Sequence, residues 1–167
     1  MKPVKQTIIY NDQTIGNGDC VTACWASILE LPLWMVPPFH QMYGRPDYNA
    51  RLDEYMKLVH RLQVITVYNV NVPAEFDKDD LRNLRDLPEF YVATGPTVRG
   101  GHHAVVYGGD RSVRASAGSS WQSMWPSDRL VHDPHSSDAG LTSVWKIMYL
   151  RPLAAPAIDV NNVPEIL

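Results

Sequence analysis

The 167-residue sequence predicts an α+β fold, because two helical patterns are followed by a run of short strand patterns. Nearly every residue from 20 to 31 is apolar or small, which predicts a helix that is buried on all sides and ends before Pro32. Apolar residues recur at helical spacing between residues 47 and 62, which predicts a second helix with Asp47 or Asn49 as its cap. We therefore expect a central N-terminal helix packed on an antiparallel sheet.

The sheet is predicted from short segments that alternate or are rich in β-branched residues, with turn residues between them. These segments are residues 63–70, 89–94, 103–107, 112–115, 130–132 and 143–150. Residues 6–10 are predicted as a strand or extended lead-in, and residues 78–84 as a short helix. Residues 1–150 are thus predicted as one domain. Residues 151–167 contain prolines and no periodicity, which indicates an extended C-terminal arm.

Composition and charge narrow the class of protein. The hydrophobic fraction is 45% and the charged fraction is 20%, as in soluble globular proteins. A net charge of −3 with scattered Lys and Arg offers no basic surface for nucleic acid. No apolar run approaches the roughly 18 residues of a membrane span, and the first residues carry no apolar signal segment. We expect a cytoplasmic protein with neither a nucleic acid nor a membrane as partner.

Cys20 is the first candidate for a reactive group, because it follows the turn-rich segment 11–18 at the predicted start of the first helix. The first turn of a helix has unpaired backbone N–H groups and a partial positive charge, which favour a thiolate. Cys24 lies one turn further on and is predicted to be buried core. Two cysteines so spaced on one helix are poorly placed for a disulfide, which agrees with a reducing compartment.

A nucleophilic thiol needs a base, and the base needs a group that orients it. His102 and His103 begin one predicted strand, and Asp133 follows another. If these strands are neighbours, His103 and Asp133 lie side by side at one edge of the sheet. Side chains alternate along a strand, so only one of the two histidines can face Cys20.

These residues carry a resemblance to a known family. A glutamine, a cysteine on a helix of small and apolar residues, a histidine before Ala-Val-Val on a strand, and an Asp-Pro pair after a strand occur in that order. This order resembles the papain-like cysteine peptidases, and most closely the bacteriocin-processing peptidase domains of peptide exporters. The resemblance implies a papain-like fold with Cys20 as nucleophile, His103 as general base and Asp133 as the residue that orients it. It implies that the side-chain amide of Gln13 helps to bind the oxyanion.

A looser likeness connects the chain to small proteins of bacteriophages and actinobacteria. It depends on three patches, which are Gly18-Asp19-Cys20, residues 31–39 and residues 131–141. It implies a phage or prophage setting, in which the protein or peptide substrate would include a host protein and the location would be the host cytoplasm.

The implied chemistry is acyl transfer on an amide bond, by a peptidase, an isopeptidase or an amidase, with no cofactor. His102, Trp121 and Trp125 are candidate substrate-binding residues. Two alternatives stay open. One is a catalytically degenerate papain-like protein that binds or inhibits a host partner. The other is a zinc site built from Cys20, Cys24, His103 and Asp133, although the chain lacks the ligand spacings of structural zinc sites and we expect no metal ligand.

Overall fold

The computed structural model describes residues 1–8, 18–68, 87–109 and 129–154. In these ranges the fold is α+β, with two α-helices and a five-stranded antiparallel sheet, as the sequence predicts. The helices are α1 (Cys20–Leu29) and α2 (Phe39–Tyr55); a short 3₁₀ turn (Leu33–Met35) lies between them and a π-helical turn (Met56–His60) follows α2. The strands are β1 (Leu62–Tyr68), β2 (Phe90–Pro96), β3 (His102–Gly108), β4 (Arg129–His132) and β5 (Lys146–Pro152).

The strand order is β1-β5-β2-β3-β4, so the strand latest in the sequence lies between the first two. β2 and β3 form a hairpin in which Gly95 pairs with His103. β3 also pairs with β4, and Val106 lies opposite His132. The residue after His132 is therefore brought to the same end of the sheet as the start of β3.

One face of the sheet packs on α1. Ala104 and Val106 of β3 lie with Trp25 and Cys24 of α1 in one buried cluster. Val105 belongs to a second cluster on the opposite face, together with residues of β2 and β5. α1 is buried along most of its length because its residues are apolar or small on every side, as predicted.

The second helix begins earlier than the periodicity predicted. It starts at Phe39 directly after Pro38, and not near Asp47. A proline costs little where a helix begins, because the N–H that it lacks has no partner there. The apolar pattern over residues 39–46 is weak, so the sequence signal revealed only the C-terminal part of this helix.

Other boundaries also differ from the predictions. α1 ends at Leu29, and the N–H of Glu30, in left-handed conformation with φ 58°, bonds back to the last turn. Residues 6–8 form no strand, which leaves the alternative of an extended lead-in, and residues 9 and 10 lie outside the described residues. β5 continues through Pro152, so the predicted arm begins later than residue 151. The segments predicted over 78–84 and 112–115, and the arm from residue 155, lie outside the described residues. Within the described ranges, no helix is long and apolar enough to cross a membrane.

Candidate active site

Cys20 is the first residue of α1, as predicted. Asp19 precedes it, but the Asp19 side chain does not cap the helix. Its carboxylate instead accepts hydrogen bonds from the N–H groups of Thr7 and Ile8 and from the Thr7 hydroxyl, at 2.8 to 3.1 Å. The backbone amides of the first turn are therefore left without a side-chain cap and lie beside the thiol.

The helix start predicts a lowered pKa for the Cys20 thiol, and the structure indicates a shift in the opposite direction. Burial raises the pKa of the Cys20 thiol above its ordinary value of 9.0. Backbone hydrogen bonds from Ala104, Val21 and Cys20 itself act in the opposite direction, while the negative charge of Asp19 raises the pKa further. Desolvation outweighs the helix amides here, so the shift favours the neutral thiol over the thiolate.

Cys24 is core, as predicted. Its side chain is fully buried, and burial raises the pKa of its thiol well above 9.0. Neither cysteine forms a disulfide. The two thiols thus differ in access, since Cys20 is partly exposed and Cys24 has no exposed surface.

His103 and Asp133 form a buried pair. His103 Nε2 lies 2.7 Å from Asp133 Oδ1, and these residues are 7% and 2% exposed. Asp133 Oδ1 also accepts the N–H of His135 at 2.8 Å, and Oδ2 accepts the N–H of Gly140 at 2.9 Å. Because the carboxylate holds a proton on Nε2, the neutral ring presents Nδ1 as a base.

The electrostatics of the pair favour a neutral imidazole next to a carboxylate. Burial lowers the pKa of His103 below its ordinary value of 6.5, against the opposing effect of Asp133, and the charges of Arg99 and His135 lower it further. Burial alone would raise the pKa of the Asp133 carboxyl, but hydrogen bonds from His103, Gly140 and His135 outweigh it and lower that pKa below 3.8.

Cys20 contacts β3 through the backbone of Ala104. The N–H of Ala104, the residue after His103, is a hydrogen-bond partner of the Cys20 sulfur. Ala104 lies on the face of the sheet that packs on α1. No direct hydrogen bond between the Cys20 thiol and the His103 ring occurs among those described. The thiol and the His103–Asp133 pair thus adjoin the same short stretch of β3 without being joined.

An N-terminal tie, residues 4–8, connects the two halves of this region. Lys5 Nζ donates to the backbone carbonyl oxygen of Asp133 at 2.8 Å and pairs with Asp138 at 2.7 Å. His132 Nε2 lies 2.8 Å from the Val4 carbonyl oxygen. Because Thr7 and Ile8 bond to Asp19, the tie fixes the start of α1 relative to the loop that carries Asp133.

Of the three predicted substrate-binding residues, the structure describes only His102. His102 is exposed and contacts Trp145 edge to face, with ring centroids 4.6 Å apart. Trp121, Trp125 and Gln13 lie outside the described residues. His102 and His103 therefore differ in burial and in partners, as alternation along a strand requires.

Sequence reasoning missed Arg99, Lys5 and Trp145. The position of Arg99 could have been predicted from the sequence, because it precedes Gly100 and Gly101 in the turn that leads into β3. No local pattern predicts the contacts of Lys5 and Trp145, because their partners are far away in the sequence.

The structure gives no support to the zinc hypothesis. In the part of the chain that the structure describes, which includes Cys20, Cys24, His103 and Asp133, no group of three or more His, Cys, Asp or Glu side chains could hold a metal ion.

The two thiols should respond differently to alkylation. In the His103→Ala variant, which lacks the neighbouring imidazole base, iodoacetamide is expected to label Cys20 with a rate that climbs about tenfold per pH unit from pH 6 to 8, because the reactive thiolate is a minor species below a raised pKa. Cys24 should stay unlabelled until the protein unfolds. Peptide mapping by mass spectrometry measures both rates, and a plateau for Cys20 between pH 5 and 8 in the His103→Ala variant would contradict the neutral resting thiol.

No family model matches this chain, and searches of the curated proteins and of the solved structures found no match either. The geometry and chemistry of the site therefore carry the functional inference.

Proposed function

We propose that the protein catalyses cysteine-dependent acyl transfer on an amide bond, with Cys20 as nucleophile, His103 as general base and Asp133 as the orienting carboxylate. One observation carries this proposal. A buried histidine is bound to a buried carboxylate at 2.7 Å, and the next residue, Ala104, donates its N–H to a partly exposed thiol at a helix start. A buried His–Asp pair beside a thiol is the arrangement that thiol-based acyl transfer requires.

In the first half of the reaction, the sulfur of Cys20 attacks the amide carbon while the thiol proton moves to Nδ1 of His103. The carbonyl oxygen becomes an oxyanion, which the uncapped N–H groups of the first turn of α1 would stabilise. His103 then gives the proton to the leaving nitrogen, the C–N bond breaks, and an amine leaves a thioester on Cys20.

In the second half, a water molecule or another nucleophile attacks the thioester. His103 accepts the proton of the attacking group and returns it to the Cys20 sulfur as the C–S bond breaks. With water, the products are a carboxylic acid and the free thiol. Asp133 keeps the ring in the tautomer that has Nδ1 unprotonated, and it stabilises the imidazolium that forms in both halves.

The pKa shifts of Cys20 and His103 support transfer of the thiol proton during the attack and not before it. The pKa of Cys20 is raised and that of His103 is lowered, so a standing thiolate–imidazolium pair is disfavoured. Because no direct hydrogen bond joins the two side chains among the described residues, this route also requires the ring and the sulfur to approach when a substrate is bound.

The resemblance to papain-like cysteine peptidases, and to their bacteriocin-processing branch, agrees with this assignment. On that basis the domain is papain-like, and Gln13 is the residue that would assist the oxyanion. The looser likeness to phage and actinobacterial proteins supports a host protein or peptide as substrate. Peptide, isopeptide and side-chain amide bonds all fit the same chemistry.

An activated ester tests the proposal without knowledge of the natural substrate. Incubation with p-nitrophenyl acetate should acetylate Cys20, release p-nitrophenol in a burst that matches the protein concentration, and then continue slowly as the thioester hydrolyses. Intact-mass and peptide-mass spectra locate the acetyl group. Cys24→Ala is the matched control and should keep the burst, whereas Cys20→Ala should lose it. Acetylation only of lysines, with no burst, would reject the nucleophile.

The raised pKa of Cys20 favours a second candidate, a catalytically degenerate papain-like protein that binds a host partner. In that case Cys20→Ala would leave the biological effect intact, and the same substitution therefore separates the two functions.

A further inference from the structure

Arg99 is held at the edge of the His103–Asp133 pair. It lies in the turn between β2 and β3, where Gly100 and Gly101 have φ values of 82° and 69° that favour glycine. One guanidinium nitrogen, Nη1, donates a hydrogen bond to the hydroxyl of Ser137. The turn thus directs Arg99 to the loop that follows β4.

His135 belongs to the same cluster. Its Nδ1 accepts the N–H of Ser137 at 3.0 Å and lies 2.9 Å from the Ser137 hydroxyl. A backbone N–H can only donate, so the proton of the neutral His135 ring is on Nε2. The His135 ring lies 6.0 Å from that of His103, at an interplanar angle of 89°. Arg99, Ser137 and His135 thus form a connected cluster beside His103.

The carboxylates around this cluster bond to other groups. Asp133 is occupied by His103, and Asp138 is paired with Lys5. Among the ion pairs of the described residues, none includes Arg99, whose partner is the neutral Ser137 hydroxyl. Arg99 and His135 both act electrostatically on His103. An exposed guanidinium so placed has N–H donors left for a ligand.

We propose that Arg99 and His135 form an anion-binding subsite beside His103, and that the substrate carries a carboxylate a few bonds from the amide that Cys20 attacks. A guanidinium binds a carboxylate through two parallel hydrogen bonds, and the Nε2–H of His135 supplies a further donor. The inference depends on the proposed function, because it defines the substrate class of that same site.

Pairs of alkylating reagents that differ only in charge test the subsite directly. The first pair is iodoacetate and iodoacetamide, and the second is N-iodoacetylglycine and its amide, which reach one residue further. For at least one pair, Arg99→Gln should lower the anionic-to-neutral ratio of labelling rates at Cys20 about fivefold, because a positive charge near the bound carboxylate is lost. The rate with iodoacetamide should change by less than about twofold. Arg99→Lys should retain part of the ratio.

Arg151→Gln is the matched control, since Arg151 is exposed and bonds to Gln63 across β5 and β1, away from β3. It should leave both ratios as in the unaltered protein. Equal ratios in the Arg99→Gln and unaltered proteins for both pairs would overturn the subsite. A ratio that depends on Arg99, with iodoacetamide labelling that does not depend on His103, would reject the proposed base and keep the subsite.

Discussion

Replacing His103 with alanine should slow the acetylation of Cys20 by p-nitrophenyl acetate about a hundredfold at pH 7, the size typical of a lost general base. The physical reason is that the thiol is neutral at this pH, since burial raises its pKa, and needs an acceptor for its proton. Stopped-flow absorbance of p-nitrophenol, with mass spectra that confirm acetylation at Cys20, gives the rate.

His60→Ala is the control for the general loss of an imidazole. His60 contacts Tyr55, with ring centroids 5.3 Å apart, at the end of the π-helical turn and outside the proposed site. Its substitution should change the rate by less than about twofold. His102→Ala separates the neighbouring histidines. A larger loss with His102→Ala than with His103→Ala would transfer the role of base to the exposed ring and contradict the assignment.

Asp133→Ala should lower the free energy of unfolding by about 3 to 5 kcal/mol, because it removes one member of a buried pair and leaves its partners unsatisfied. The side chain accepts hydrogen bonds from His103, from the N–H of His135 and from the N–H of Gly140. Asp133→Asn keeps one acceptor oxygen and should cost about 1 to 3 kcal/mol. Urea denaturation followed by tryptophan fluorescence measures both changes.

Glu54→Ala is the matched control, since Glu54 makes an exposed ion pair with Arg51 on α2. It should cost less than about 0.5 kcal/mol. A loss for Asp133→Ala no larger than that for Glu54→Ala would mean that the buried pair contributes nothing to stability.

The pH dependence of stability gives a second measure of the same pair. The folded pKa of His103 lies below 6.5, so the unfolded chain binds more protons as the pH falls from 6.5 to that folded value, and stability declines. The folded pKa of Asp133 lies below 3.8, so its contribution is lost as the pH falls through that lower window. His103→Ala should remove the first decline and keep part of the second.

The sequence predicted those parts of the fold that have strong local patterns. α1 was found because its residues are apolar on every side, and β1 to β5 because short alternating segments are separated by turns. The first part of α2 was missed, because residues 39–46 have no clear apolar pattern in the sequence. Pro38 was expected to end a helix, whereas it lies directly before the start of α2.

The site was predicted in part for the same reason. His103 and Asp133 follow from strand ends that become neighbours, and their contact at 2.7 Å confirms that expectation. The ionisation of Cys20 could not be predicted, because desolvation depends on what covers the thiol and not on its place in the helix. The cluster of Arg99, Ser137 and His135 could not be predicted either, because no local sequence pattern links a hairpin turn to a distant loop.

The N-terminal tie has a consequence for the order of folding. Lys5 and Asp133 are 128 residues apart in the sequence, and β5, the last strand, fills the position between β1 and β2. Contacts of such long range form late, because the entropy of closing the intervening chain must be overcome first. Cys20 therefore leaves the ribosome before His103 and Asp133, and the start of α1 is fixed only after the loop that carries Asp133 has been synthesised.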